Sequence, residues 1–141
     1  MRFMVIVKAN EDSEAGVLPS EKQLTEMGRF NEELVNAGMM LAGEGLHPSS
    51  SGVRIRFSGD KRVMVDGPFA ETKELIAGFW ILQAKSRGEV VDWVKRAPFD
   101  TDTEVEIRRI FEIEDFGDAA TPEVRQQDAD LRTRVEAAGN R

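Results

Sequence analysis

Two stretches of the chain are apolar on both faces, and they restrict the folds open to it more than any other feature. In residues 2–8, Phe3, Val5 and Val7 alternate with Arg2, Met4, Ile6 and Lys8, so the middle of the stretch is apolar whichever way it faces. Residues 76–84, IAGFWILQA, behave the same way. A strand with one solvated face alternates apolar with polar residues, whereas a strand covered on both sides has no need to. Both segments are therefore expected at the centre of a sheet, with something packed on each face.

The remaining elements follow from shorter signals. Residues 9–19 read as a polar loop. Ser20 with Gln23 forms a capping box, and Leu24, Met27, Phe30 and Leu34 follow at helical spacing, predicting a helix over 21–36 closed by Asn36 and Gly38. Residues 39–47 read as a second strand, weakened by Gly43 and Gly45. The segments 53–57 and 62–66 each alternate around the turn residues 58–61, as the arms of a hairpin do. Ser86 with Glu89 opens a helix carrying Val90, Trp93, Val94 and Ala97, which Pro98 ends. A last strand is expected over 104–113, with Val105, Ile107, Phe111 and Ile113 alternating. Thr121 and Pro122 open a helix near 122–138 with Val124, Leu131, Val135 and Ala138 on one face.

The order β-α-β, hairpin, β-α-β defines the expected fold class: α+β, a ferredoxin-like antiparallel sheet (split βαβ with an extra hairpin) plus a C-terminal helix. Its two helices can cover one face of the sheet only. A second copy of the same sheet is the simplest cover for the other face, which predicts a homodimer. Residues 1–113 are expected to form the ferredoxin-like domain. Residues 114–141 form an extension with seven acids and four bases, whose helix is either a surface element or an arm for a protein partner.

Composition narrows the function classes. With 141 residues, the chain is long enough to bury a core without metal or disulfide support. It has no cysteine, which removes thiolate chemistry and disulfides and points to a cytoplasmic setting. The first apolar run is too short for a signal peptide or a membrane span. A net charge of −7 with no basic block argues against nucleic acid, whose phosphates call for Lys and Arg. A small-molecule ligand is the expected partner.

If residues 39–46, 53–57 and 62–66 run as consecutive antiparallel strands, Glu44, His47 and Asp66 reach one edge of the sheet. His47 is the only histidine, the side-chain type best suited to proton transfer near neutral pH. Asp66 would orient it or act as the base. Asp66-Gly67-Pro68 is equally strong turn chemistry, and a lone histidine beside Pro48 is commonly just exposed. Arg54 and Lys73 are the candidate holders of an anionic substrate, against the alternative of solvated surface charge. Phe69 is a candidate pocket wall or a packing residue. Glu44, His47 and Asp66 lack a recognisable ligand spacing, so no metal and no cofactor are expected.

The block from Val63 to Trp80, VMVDGPFAETKELIAGFW, resembles the YCII-related family, in particular its DGPF subgroup. It is preceded by GEGLHP at 43–48 and followed by a Trp93-containing helix and a VEIR strand at 105–108. The resemblance spans about residues 1–113. It implies a ferredoxin-like fold that dimerises into an α/β barrel, and a cleft suspected to be an active site. It also implies a His–Asp pair as the catalytic element, a role open here to His47 and Asp66. Glu44, Arg54, Phe69 and Lys73 are expected around the substrate from their own positions and chemistry. Some relatives of this fold act on chlorinated or lactone intermediates of aromatic breakdown, and other DGPF members are encoded beside alternative sigma factors. The expectation is a small-molecule binder or cofactor-free enzyme doing lyase- or isomerase-like acid/base chemistry. The alternative is a non-enzymatic regulatory or protein-interaction module.

Overall fold

The computed structural model describes residues 1–139, apart from the side chain of Lys73. They divide into two compact units, Met1–Arg109 and the segment from Ile110 onward. The first unit runs β1 (Arg2–Lys8), α1 (Glu11–Glu14), α2 (Glu21–Asn36), β2 (Met40–Gly45), β3 (Val53–Ser58), β4 (Lys61–Asp66), β5 (Ile76–Gln83), α3 (Arg87–Val94) and β6 (Val105–Arg109). Short 3-10 turns occupy Ser49–Ser51 and Thr72–Glu74.

Four strands form one sheet in the order β2-β5-β1-β6, with every neighbouring pair antiparallel. The two doubly apolar stretches, β1 and β5, are its central strands. Val5 pairs with Trp80 and Phe3 with Leu82, so these four side chains stand on one face. Phe30 and Leu34 of α2 and Val90 of α3 close over them, and all seven are buried. Burying each such side chain contributes roughly 1.5–3 kcal/mol. Trp80 is the hub, with the rings of Phe30 and Phe99 both edge-on to it at 5.9 Å. On the other face β1 and β5 present Met4, Ile6, Phe79 and Ile81.

Local sequence signals place the helices. Ser20 N–H donates to Gln23 Oε1 at 2.8 Å and Gln23 N–H to Ser20 Oγ at 3.1 Å, the reciprocal capping pair that starts α2. At α3 the reciprocity is shifted by a residue. Glu89 N–H donates to Ser86 Oγ, while the Glu89 carboxylate accepts from Lys85 N–H. The segment 9–19 is not wholly loop: Asn10 and Ser13 make their own capping box and nucleate α1.

Strand pairing departs from expectation in two places. β2 does not pair with β3; its one neighbour is β5, and β3 and β4 form a separate two-stranded hairpin. The chain leaves the sheet after Leu46, whose N–H donates to Ala77 O, and Pro48 then opens the 3-10 turn that redirects it. The last strand stops at Arg109 rather than continuing to 113. Beyond it, Phe111 stacks on Phe116 at 5.0 Å, and Ile113 begins a 3-10 segment. This second unit continues into α4, Pro122–Gly139, with Thr121 Oγ1 accepting from Val124 N–H at its start. Val124, Leu131 and Val135 are exposed along it. Among the described residues, no helix is long and apolar enough to cross a membrane.

Candidate functional site

The β3–β4 hairpin is fixed at its base by the residues that follow it. Gly67 N–H donates to Gly52 O at 2.9 Å, and Phe69 N–H donates to Ser49 Oγ at 3.1 Å. Ser49 N–H in turn donates to Glu14 Oε2 at 2.8 Å, which ties the loop to α1. Residue 67 has to be glycine, because a Cβ there would overlap the Ser49 carbonyl oxygen. The Gly67–Pro68 peptide is cis. The Asp-Gly-Pro-Phe run is thus a turn packed against residues 48–52.

That packing makes an open cleft of about 410 Å³. His47, Ser49, Arg54 and Phe69 line it, with Glu14 and Glu74 as its acids. The Arg54 guanidinium carbon lies 3.7 Å from the centroid of the Phe69 ring. A guanidinium over a ring face keeps N–H groups free to donate, an arrangement suited to a carboxylate or phosphate. The volume falls in the range of ligand pockets.

His47, Arg54 and Phe69 therefore meet in one cleft. Asp66 does not line it: Asp66 pairs with Val53 and Arg54 with Val65, so strand alternation puts Asp66 and Arg54 on opposite faces of the hairpin. No hydrogen bond or ion pair joins Asp66 to His47. The expected meeting of Glu44, His47 and Asp66 at one sheet edge does not occur, because it required β2 and β3 to be paired. Glu44 on β2 pairs with Phe79, so its side chain stands on the Phe79 face of the main sheet, away from Trp80. Lys73 belongs to the 3-10 turn Thr72–Glu74, and its side chain lies outside the described residues. No cluster of three His, Asp or Glu able to hold a metal occurs among the described residues.

The second cavity, about 230 Å³, lies where β2 and β5 meet α2. Its walls include Val7, Met27, Trp80 and Phe99, with Asn31 as a polar side chain. Trp80 Nε1–H donates to Asn31 Oδ1 at 2.9 Å. Asn31, Ser49 and Glu14 are not among the residues that the sequence singles out. The one local signal was the position of Asn31 beside Phe30, on the helix face that turns inward.

Known proteins resemble parts of this chain. An uncharacterized protein of Rhizobium meliloti (strain 1021) is 29% identical over 75 residues, which span 53% of this chain and 60% of that protein. Among solved structures, 5-chloro-2-hydroxyhydroquinone dehydrochlorinase of Burkholderia phenoliruptrix AC1100, in complex with 2,5-dihydroxybenzoquinone, aligns with a TM-score of 0.44 at 18% identity. The alignment covers 81% of this chain and 98% of that one. The profile of the YCII-related domain matches residues 1–114, which is most of the chain, and the chain belongs to that family.

Proposed function

We propose that this protein, as a DGPF-type member of its family, binds a small organic anion in the cleft beside the hairpin and carries out acid/base chemistry on it without a cofactor. The observation that carries this reading is the meeting of His47, Arg54 and Phe69 around one ligand-sized cleft. Arg54 holds the negative charge, the Phe69 ring and Leu46 give the apolar walls, and His47 moves the proton in a lyase- or isomerase-like step. Lys73 is assigned to the same anion. Asp66, on the hairpin face opposite Arg54, is assigned as the acidic partner of His47 through a movement of the hairpin on ligand binding, since catalytic groups commonly come together only in the complex.

Thermal shift with a panel of small carboxylates and phenolates tests the reading. A ligand at a hundredfold excess over its Kd stabilises the folded state by about 2.7 kcal/mol. The expected result is stabilisation of the wild type, lost in Arg54→Met and weakened in Asp66→Asn. No response to any acid, or an equal response in Arg54→Met, would remove the cleft from consideration.

The assembly that goes with this reading is a homodimer in which the faces carrying Met4, Ile6, Phe79 and Ile81 meet and close a barrel. Sedimentation of Ile81→Glu is expected to show a shift toward monomer; an unchanged mass would rule out that interface. A second reading rests on the exposed Val124, Leu131 and Val135 of α4. It makes the tail a contact for a protein partner, such as an alternative sigma factor, and the domain a non-enzymatic module. Deleting residues 114–141 would abolish partner capture on this reading and leave ligand binding unchanged on the first.

A further inference from the structure

Helix α4 has almost no cover. Every residue of Pro122–Gly139 is exposed except Asp128, which is half-buried. Helices in proteins draw most of their stability from packing an apolar face, not from propensity. Such a face exists here. At about 100° per residue, Val124, Leu131 and Ala138 fall within about 40° of one another, with Val135 beside them, so one apolar stripe runs along the helix and faces solvent.

Charges flank this stripe in a regular order. Arg132 Nε lies 2.9 Å from Asp128 Oδ2, so these two share one flank. Asp130 and Arg134 line a groove together with Gln127 and Leu131, which places them on the other flank. On each flank the acid comes first and the base four residues later. Leu131 stands midway along the stripe. When two such helices lie antiparallel and cross at Leu131, each flank meets the same flank of its mate in reverse, so acids face bases. Asp128 then meets Arg132 of the partner subunit, and Asp130 meets Arg134 of the partner subunit, each within about 3 Å of the same level. A parallel pair instead sets acid beside acid and base beside base, which repels.

We infer that α4 is a self-association surface whose occupant is α4 of a second copy of this chain, laid antiparallel across Leu131. Val124 packs on Ala138 of the partner subunit, and the charged flanks close the apolar stripe from both sides. The occupant differs from the foreign protein of the second reading above, and the contact uses no residue of the anion cleft or of the sheet face that carries Ile81.

The chain has no cysteine, so single introduced thiols in the full-length protein report the geometry under mild oxidation. Leu131→Cys is expected to form a disulfide-linked dimer, because residue 131 meets its own copy. Val124→Cys is expected not to, since its two copies lie about 21 Å apart along the axis, whereas Val124→Cys with Ala138→Cys links again. Ala129→Cys, on the opposite face of the helix, is the control. Sedimentation over a dilution series should show Leu131→Asp weakening self-association by about tenfold or more. Asp130→Arg should weaken it by about fivefold, and adding Arg134→Asp should restore it, which a merely misfolded helix would not do. The inference is overturned if Val124→Cys links as readily as Leu131→Cys, if no variant links more than Ala129→Cys, if Leu131→Asp associates as the wild type does, or if the charge swap brings no recovery.

Discussion

The anion cleft and the cavity against α2 are built from different materials. Loops and a two-stranded hairpin wall the cleft, and it is held by the bonds from Gly67, Phe69 and Ser49. Every residue of β3 is exposed, and an isolated hairpin is marginally stable in water. The cavity is cut into the core itself, against Trp80, which is 6% exposed. A cleft held by a few peripheral bonds can open and close at low cost, whereas a cavity in packed elements is preorganised. The first suits a step in which groups converge on a ligand, and the second suits shape recognition.

The largest expected effect breaks the cavity. Trp80→Ala removes the ring that Phe30 and Phe99 both contact and leaves the Asn31 carbonyl without its donor, at a cost of about 3–5 kcal/mol. Urea denaturation measures it. Anion binding should survive in whatever fraction remains folded; its loss per folded molecule would mean that the cleft depends on the core around Trp80. Next is Gly67→Ala, which forces the Ser49 carbonyl aside at about 1–3 kcal/mol and should abolish anion binding while the core around Trp80 stays intact. Ser49→Ala is milder. It removes the acceptor for Phe69 N–H and should cost about 1 kcal/mol. Anion affinity in this variant should fall less than in Gly67→Ala, and the reverse ranking would argue that the hydroxyl itself touches ligand.

How far the sequence reveals these regions depends on the range of the signal. The starts of α2, α3 and α4 follow from capping residues within a few positions of one another, and those helices begin where the sequence places them, although α3 ends at Val94, short of Ala97. The central positions of β1 and β5 were legible because apolar residues on two faces need two covers. The neighbours of β2 were not legible, since nothing within residues 39–47 distinguishes β3 from β5 as a partner. That single pairing moved Glu44 away from the cleft, to the face of the main sheet that carries Phe79. The placement of Asp66 could have been read in advance. Gly59 and Asp60 form a two-residue turn, so Ser58 faces Lys61 and Val53 faces Asp66, and alternation then sends Asp66 and Arg54 to opposite faces. The cavity had no local signature, because its glycines, its indole and its amide come from β2, β5 and α2.

The smallest expected effect on stability is also the sharpest test of the contrast. Arg54 is exposed, and its stacking on Phe69 is worth about 0.5–1 kcal/mol at such a site. Arg54→Met keeps a long apolar side chain over the ring, so unfolding should change by less than about 1 kcal/mol. Anion affinity, by contrast, should drop by about tenfold or more, because the charge-assisted donors are gone. The wild-type affinity should also weaken as salt rises, and that dependence should flatten in Arg54→Met. Arg54→Lys separates charge from geometry: a point charge without the planar fork should recover the salt dependence but only part of the affinity. If Arg54→Lys equals the wild type, the cleft attracts anions without shaping them, and a reaction that needs a fixed orientation would have to take place elsewhere.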